Sequence, residues 1–191
     1  NSSVTGATVT ISGNYFIGQD TLAFTNQGSI TGVWDAGSGT LTLTGTSSVA
    51  NYEAALRSIT YTNNSDNPAT ATRTVTFIVS DATSTSSPPT RDINVAAVPD
   101  APVLANIEAA ALGYTENGSS LVSSSITIAD VDSAVLTSAT IQITGNYQNG
   151  QDLLSFTDTV NITGSWDAGT GTLTLTGSDT LANYQAALRS V

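Results

Sequence analysis

Apolar and polar residues alternate along most of this chain. In Ala7-Thr8-Val9-Thr10-Ile11-Ser12 the period is two, that of a strand with one face buried, and Gly13-Asn14 interrupts it. A short strand is predicted at Thr21 to Thr25. Two β-rich runs, Ile30 to Trp34 and Thr40 to Thr44, flank Asp35-Ala36-Gly37-Ser38-Gly39, a small, glycine-containing stretch suited to a longer hairpin loop. From Ser48 to Ser58 the period changes. Val49, Tyr52, Ala55, Leu56 and Ile59 fall at helical spacing, with Ser47 or Ser48 placed to cap the start, so one short helix is expected. Ile59 to Tyr61, Arg73 to Val79 and Arg91 to Val95 read as three more strands, separated by loops at Asn63 to Pro68 and Asp81 to Pro89.

The pattern then repeats. Thr5 to Ile59 recurs as Thr137 to Val191 at a constant offset of about 132 residues, without a gap and with roughly two-thirds of the positions identical. Gly13-Asn14-Tyr15, Gly18-Gln19-Asp20, Trp34-Asp35-Ala36-Gly37 and Ala54-Ala55-Leu56-Arg57-Ser58 all return. Strands are therefore expected again at Ala139 to Thr144 and beyond, preceded by one at Ser125 to Ala129. The joint falls between residues 98 and 99. Residues 1–98 read as the later part of one copy, and residues 99–191 as a linker and the earlier part of the next. This frame implies a window on a longer repetitive protein. A merged repeat of about 130 residues with seven to nine short strands predicts an all-β, Greek-key β-sandwich with one short helix per repeat.

Composition narrows the function. The chain carries 15 acidic residues against four arginines, for a formal charge of -11. Such a chain repels nucleic acid and anionic lipid and attracts cations. Apolar residues make up 39% of the sequence but form no run long enough to cross a membrane. Histidine, cysteine and lysine are absent, which removes Ser-His-Asp, Cys-His and lysine nucleophiles, ordinary zinc sites, disulfides and Lys-Asn isopeptide bonds. Only carboxylates could perform acid-base work, and no pair is evident across a cleft, so no enzyme is expected.

Carboxylates are instead concentrated around the joint. Asp100 lies in Pro99-Asp100-Ala101-Pro102, Glu116 in Tyr114-Thr115-Glu116-Asn117, and Asp130 and Asp132 in Ala129-Asp130-Val131-Asp132-Ser133. These positions are expected on the linker, on an early strand and at a strand end, from which a fold could bring some of them together around a hard cation such as calcium.

At these residues the chain resembles cadherin repeats. Pro99-Asp100-Ala101-Pro102 is similar to their Asn-Asp-x-x-Pro linker, Thr115-Glu116-Asn117 to their Glu-Asn motif, and Asp130-Val131-Asp132 to their Asp-x-Asp motif. Asn51-Tyr52-Glu53 resembles the mid-domain Asp-x-Glu and Val79-Ser80-Asp81 the late Ala-x-Asp. The whole repeat looks most like the cadherin-like repeats of very large secreted bacterial adhesins, including those exported by type I secretion. That resemblance implies calcium at the joints, export unfolded and folding outside the cell, on the bacterial surface or beyond. It places Asp100, Asp130, Asp132 and Glu53 at the joint within the chain, and Glu116 and Asp81 at neighbouring joints. Ala97, Pro99 and Asn51 stand where the family has acidic residues or Asn, and Gln185 replaces Glu53 in the second copy, so the charged shell is thinner.

The expected function is a calcium-stiffened spacer or adhesion repeat whose partners are neighbouring repeats of the same chain. Two other readings stand beside it. Trp34 and Trp166, with Tyr15 and Tyr147, could offer a platform to sugar rings, although their recurrence suits packing. Strands donated between like chains could build an extracellular filament. Asp20 reads as a turn residue, and Arg57 and Arg189 as cations complementing helix C-termini.

Overall fold

The computed structural model describes residues 3–191, which fall into two compact units divided between Val98 and Pro99. The first contains β1 (Ser3–Gly13), β2 (Asp20–Ala23), β3 (Thr31–Asp35), β4 (Thr40–Ser48), α1 (Val49–Arg57), β5 (Thr60–Asn63), β6 (Arg73–Ser80) and β7 (Thr90–Ile93). The second contains β8 (Val103–Ala105), β9 (Thr127–Ala129), β10 (Val135–Gln142), β11 (Thr163–Asp167), β12 (Thr172–Thr180) and α2 (Leu181–Arg189). All strand pairs are antiparallel, and the helices are two short ones, so the fold is all-β.

In the first unit one sheet runs β3-β4-β1-β6-β7, and β2 pairs with β5 in a separate ribbon. β1 is central because it is hydrogen-bonded on both edges, to β4 and to β6. Its alternation puts Ala7, Val9 and Ile11 on one face, where they meet Leu41, Leu43 and Val75 of the neighbouring strands. Leu22 from the ribbon and Tyr52 and Ala55 from α1 close the core from the other side. The β3–β4 hairpin appears at the expected place, with Asp35 opposite Thr40. Asn14, which ends β1, has φ 52°, and its counterpart Asn146 has φ 55°, in the left-handed region that Asn tolerates better than most residues.

Each helix starts as the capping pattern predicts. The Ser48 hydroxyl accepts the Asn51 N–H at 3.2 Å, and the Thr180 hydroxyl accepts the Asn183 N–H at the same distance. Tyr52 then points back into the sheet, its hydroxyl donating to the Gly45 carbonyl at 2.6 Å, while Tyr184 does the same to Gly177. Gly45 is obligatory here. Its φ is +119°, and a Cβ would stand 1.9 Å from the Ser29 carbonyl oxygen.

The second unit repeats the hairpin and helix with different surroundings. β12 pairs with β10 and β11, and α2 packs on β9, which itself pairs with β8. β10, the counterpart of β1, is paired on one edge only. As a result Ile141 and Ile143 are half-buried where Val9 and Ile11 are buried. Residues 152–155, the counterpart of β2, form no strand. Among the described residues no helix is long and apolar enough to cross a membrane.

Candidate functional site

The carboxylates of Asp130 and Asp132 sit in the turn that leaves β9. The Asp130 Oδ1 accepts the backbone N–H of Asp132 at 3.1 Å and that of Ser133 at 2.9 Å, which folds the turn around its own side chain. The Asp132 Oδ2 in turn accepts the N–H of Asp100 at 3.0 Å. That bond ties the proline-flanked segment Pro99-Asp100-Ala101-Pro102 to the turn at the end of β9. The Asp130 carboxyl is held below the usual carboxylate range, first by the Ser133 N–H. Desolvation opposes this, and the side chain and N–H of Asp132 reinforce it. Both side chains are therefore close neighbours, and Asp130 is ionised at neutral pH.

Such a pair of acidic side chains suits a hard divalent cation, since calcium takes carboxylate, carbonyl and water oxygens together. The donor set is partial. Among the described residues no group of three or more acidic side chains converges on one point.

The other expected ligands are placed elsewhere. Glu53 lies on α1 in the first unit, in an i,i+4 pair with Arg57 at 2.5 Å whose members are 54% and 76% exposed. Its neighbour Asn51 uses its side-chain amide on the Ser47 hydroxyl at 2.8 Å. Asp81 follows β6 as expected and closes its own loop, its Oδ1 accepting the N–H and hydroxyl of Thr83 and the N–H of Ser84. Glu116 stands in an exposed turn rather than on the early strand predicted for it. The turn is closed by the Gly118 N–H to the Thr115 carbonyl and by the Tyr114 hydroxyl to the Gly118 carbonyl, both at 3.1 Å. An isolated Thr-Glu-Asn followed by Gly-Ser is turn chemistry, and no neighbouring strand pairs with it.

Two carboxylates escaped the sequence reading. Glu108 is the organiser of the loop before β9. Its Oε1 accepts the N–H groups of Ser124 and Ser125, each at 2.9 Å, and its Oε2 the Ser123 hydroxyl at 2.5 Å. These bonds, that from Ser123 foremost, hold its carboxyl far below the usual range. The run Ser123-Ser124-Ser125 is the only signal in the sequence that a carboxylate might be captured there. Asp20, read as a turn residue, is instead the centre of a buried polar cluster. It forms a two-pronged ion pair with Arg73, at 2.9 and 3.2 Å, in which neither side chain is exposed. The Tyr61 hydroxyl and the Asn63 amide donate to it at 2.7 Å, and the Phe16 N–H at 2.8 Å. Desolvation alone would raise its pKa. Arg73, then Tyr61, Phe16 and Asn63, more than offset that, and its carboxyl lies below the ordinary value. The Phe16 ring covers the guanidinium at 4.8 Å.

No protein-family model, curated protein or solved structure matches this chain. The recurring aromatic residues must therefore be read from their own contacts. Tyr15 and Trp34 meet edge to face at 6.1 Å, as do Tyr147 and Trp166. The Tyr15 hydroxyl donates to the Ala36 carbonyl at 2.6 Å and that of Tyr147 to Ala168 at 2.7 Å. Asp35 braces the same loop from within, accepting the Gly37 N–H at 2.9 Å and the Ser38 hydroxyl at 2.7 Å, and Asp167 does likewise with Gly169 and Thr170. In both copies the conserved spacing of Tyr, Trp and Asp is spent on clamping a hairpin loop.

Proposed function

We propose that this chain is a structural spacer made of tandem Greek-key, cadherin-like β-sandwich repeats of a long bacterial surface or secreted protein, stiffened by calcium. The observation that carries this reading is the link between Asp100, Asp132 and Asp130, which joins the segment opening the second unit to the carboxylate turn after β9. Asp130 and Asp132 would hold the ion, with Asp100 beside them. Glu53, Glu116 and Asp81 are the further acidic oxygens that the resemblance implies for this joint and its neighbours. Bound calcium would neutralise adjacent negative charges that otherwise repel, so that its binding energy adds to the folding energy of the turn.

The internal use of the recurring residues supports a mechanical role over a recognition role. Tyr15, Trp34 and Asp35 serve their own hairpin in both copies, which favours packing over a sugar platform. The test is thermal unfolding of the 191-residue chain in a calcium titration against chelator, with an Asp130→Ala, Asp132→Ala variant alongside. A ligand held only by the folded state stabilises by about 2.7 kcal/mol at a hundredfold excess over its Kd. The melting temperature should therefore climb with calcium in the parent and stay flat in the variant. A flat parent overturns the calcium-stiffened spacer.

A further inference from the structure

The two copies differ where the loop before β3, or before β11, faces the helix. In the second unit a cleft of about 440 Å³ lies between that loop and α2, lined among others by Phe156, Val160, Asn161, Asp179, Asn183 and Ser190. In the first unit a side chain bridges the same place. The Gln27 Nε2 donates to the Ser58 hydroxyl at 2.8 Å, joining the loop to the end of α1. At the repeat offset Gln27 becomes Thr159 and Ser58 becomes Ser190. Thr159 is too short to cross, and its hydroxyl serves its own loop, accepting the Ile162 N–H at 3.0 Å. Ser190 keeps its bond to the Ala187 carbonyl, as Ser58 keeps that to Ala55, both at 2.7 Å. Neither flank covers the place. In the second unit every lining residue lies between 156 and 190, so the segment before β10 does not reach it. The first unit includes β5, β6 and β7 after its helix, and there Asn51, Ala54 and Ser58 stay exposed.

Three further replacements give the open cleft its chemistry. Asp179 stands for Ser47, Asn161 for Ser29 and Val160 for Gly28. The Asp179 Oδ1 accepts the Asn183 amide at 2.7 Å and the Thr180 N–H at 2.8 Å. Its Oδ2 accepts the Asn161 amide at 3.3 Å, a long bond that a ligand hydroxyl can replace. A carboxylate beside a carboxamide can accept from one ligand hydroxyl and donate to the next. Val160 is 99% exposed at the rim, an apolar cover for one face of a ring. The lining holds one carboxylate and no arginine, which disfavours anions. We propose that this cleft binds a neutral N-acetylhexosamine, with the Gln27 carboxamide of the first copy marking the place of the sugar's acetamido group. The acetamido N–H donates to the Ser190 hydroxyl as Gln27 does to Ser58, and its methyl rests on Ala186. Ring hydroxyls bond the Asp179 Oδ2 and the Asn161 amide. The first copy is closed to this ligand by its own glutamine.

The experiment uses the full chain, isotope-labelled for NMR, titrated separately with three probes. They are N-acetylglucosamine, glucose, which lacks the acetamide, and a capped glutamine, which has an amide but no ring. Millimolar N-acetylglucosamine should give saturable shifts at Val160, Asn161, Asp179 and Ser190, and none at Gly28, Ser29, Ser47 and Ser58. Glucose should bind about tenfold more weakly, since it leaves the Ser190 hydroxyl without its donor. Thr159→Gln should fill the cleft and abolish the shifts, and Asp179→Ser should weaken binding about tenfold. Both variants carry the residue that the same fold already accommodates in the first unit. The proposal is overturned by an absence of shifts, by equal binding of glucose, or by undiminished binding in either variant. Capped glutamine binding as tightly as the sugar also overturns it, and would assign the cleft to a peptide side chain.

Discussion

Replacing Asp20 with Asn tests the polar core of the first unit against an internal control. The substitution leaves Arg73 charged, fully buried and without an anionic partner, while the Tyr61, Asn63 and Phe16 donors face a neutral amide. Removing one member of a buried ion pair costs about 3–5 kcal/mol, and the retained amide oxygen favours the low end. For a unit of this size each kcal/mol moves the melting temperature by roughly 4–8 °C, so a fall of about 12 °C or more is expected. Asp152 occupies the same place in the second copy but is half-exposed, and it accepts the Gln148 N–H at 2.8 Å. Asp152→Asn should cost about 0.5 kcal/mol or less. The chain has two tryptophans, one per unit, so the two effects can be read separately. Trp166→Phe leaves Trp34 to report the first unit, and Trp34→Phe leaves Trp166 to report the second. Adding Arg73→Met to Asp20→Asn should recover part of the loss, because no charge is then stranded. Equal shifts for Asp20→Asn and Asp152→Asn, or a loss under about 1 kcal/mol at Asp20, would refute the claim that this cluster holds the unit together.

Gly45→Ala should cost well over about 2 kcal/mol, since the backbone must move to clear the Ser29 carbonyl. Gly28→Ala, at φ +56° but with nothing within 4 Å, should cost only about 1–2 kcal/mol, and chemical denaturation that ranks the two equally would contradict the geometry. Acid should destabilise the chain. Asp20, Asp35, Glu108, Asp130, Asp167 and Asp179 all have folded-state pKa values below their ordinary ones. Their stabilisation is complete above the unfolded carboxylate range of about 4 and is lost as pH falls through the lowered folded values. In about 0.5 M salt, which screens general repulsion among the acidic groups, denaturant midpoints should be level from pH 7 to about 5 and then fall. A midpoint that rises on acidification would exclude this linkage.

Much of the local structure was legible because it depends on neighbours in sequence. Alternation in β1, the small-residue loop between β3 and β4, and the serine cap of α1 are each set by a few adjacent residues, and the duplication announces itself by identity. The turn chemistry of Asp130 belongs to the same class, because its hydrogen bonds reach only two or three residues along the chain, whereas the bond from the Asp100 N–H to Asp132 spans 32 residues. Tertiary structure decided the rest. Asp20 and Asp152 share the motif Gly-Gln-Asp, yet one is buried under Arg73 and Tyr61, which lie 53 and 41 residues away, while the other is half-exposed and accepts the nearby Gln148 N–H. Arg57 and Arg189 end identical Ala-Ala-Leu-Arg runs. One pairs with its own helix, and the other reaches 63 residues back to the Ile126 carbonyl. Identical local sequence determines the same hairpin and the same helix twice. Which face of each becomes buried depends on which distant strand arrives to cover it, and desolvation by that strand gives the shared residues their different chemistry.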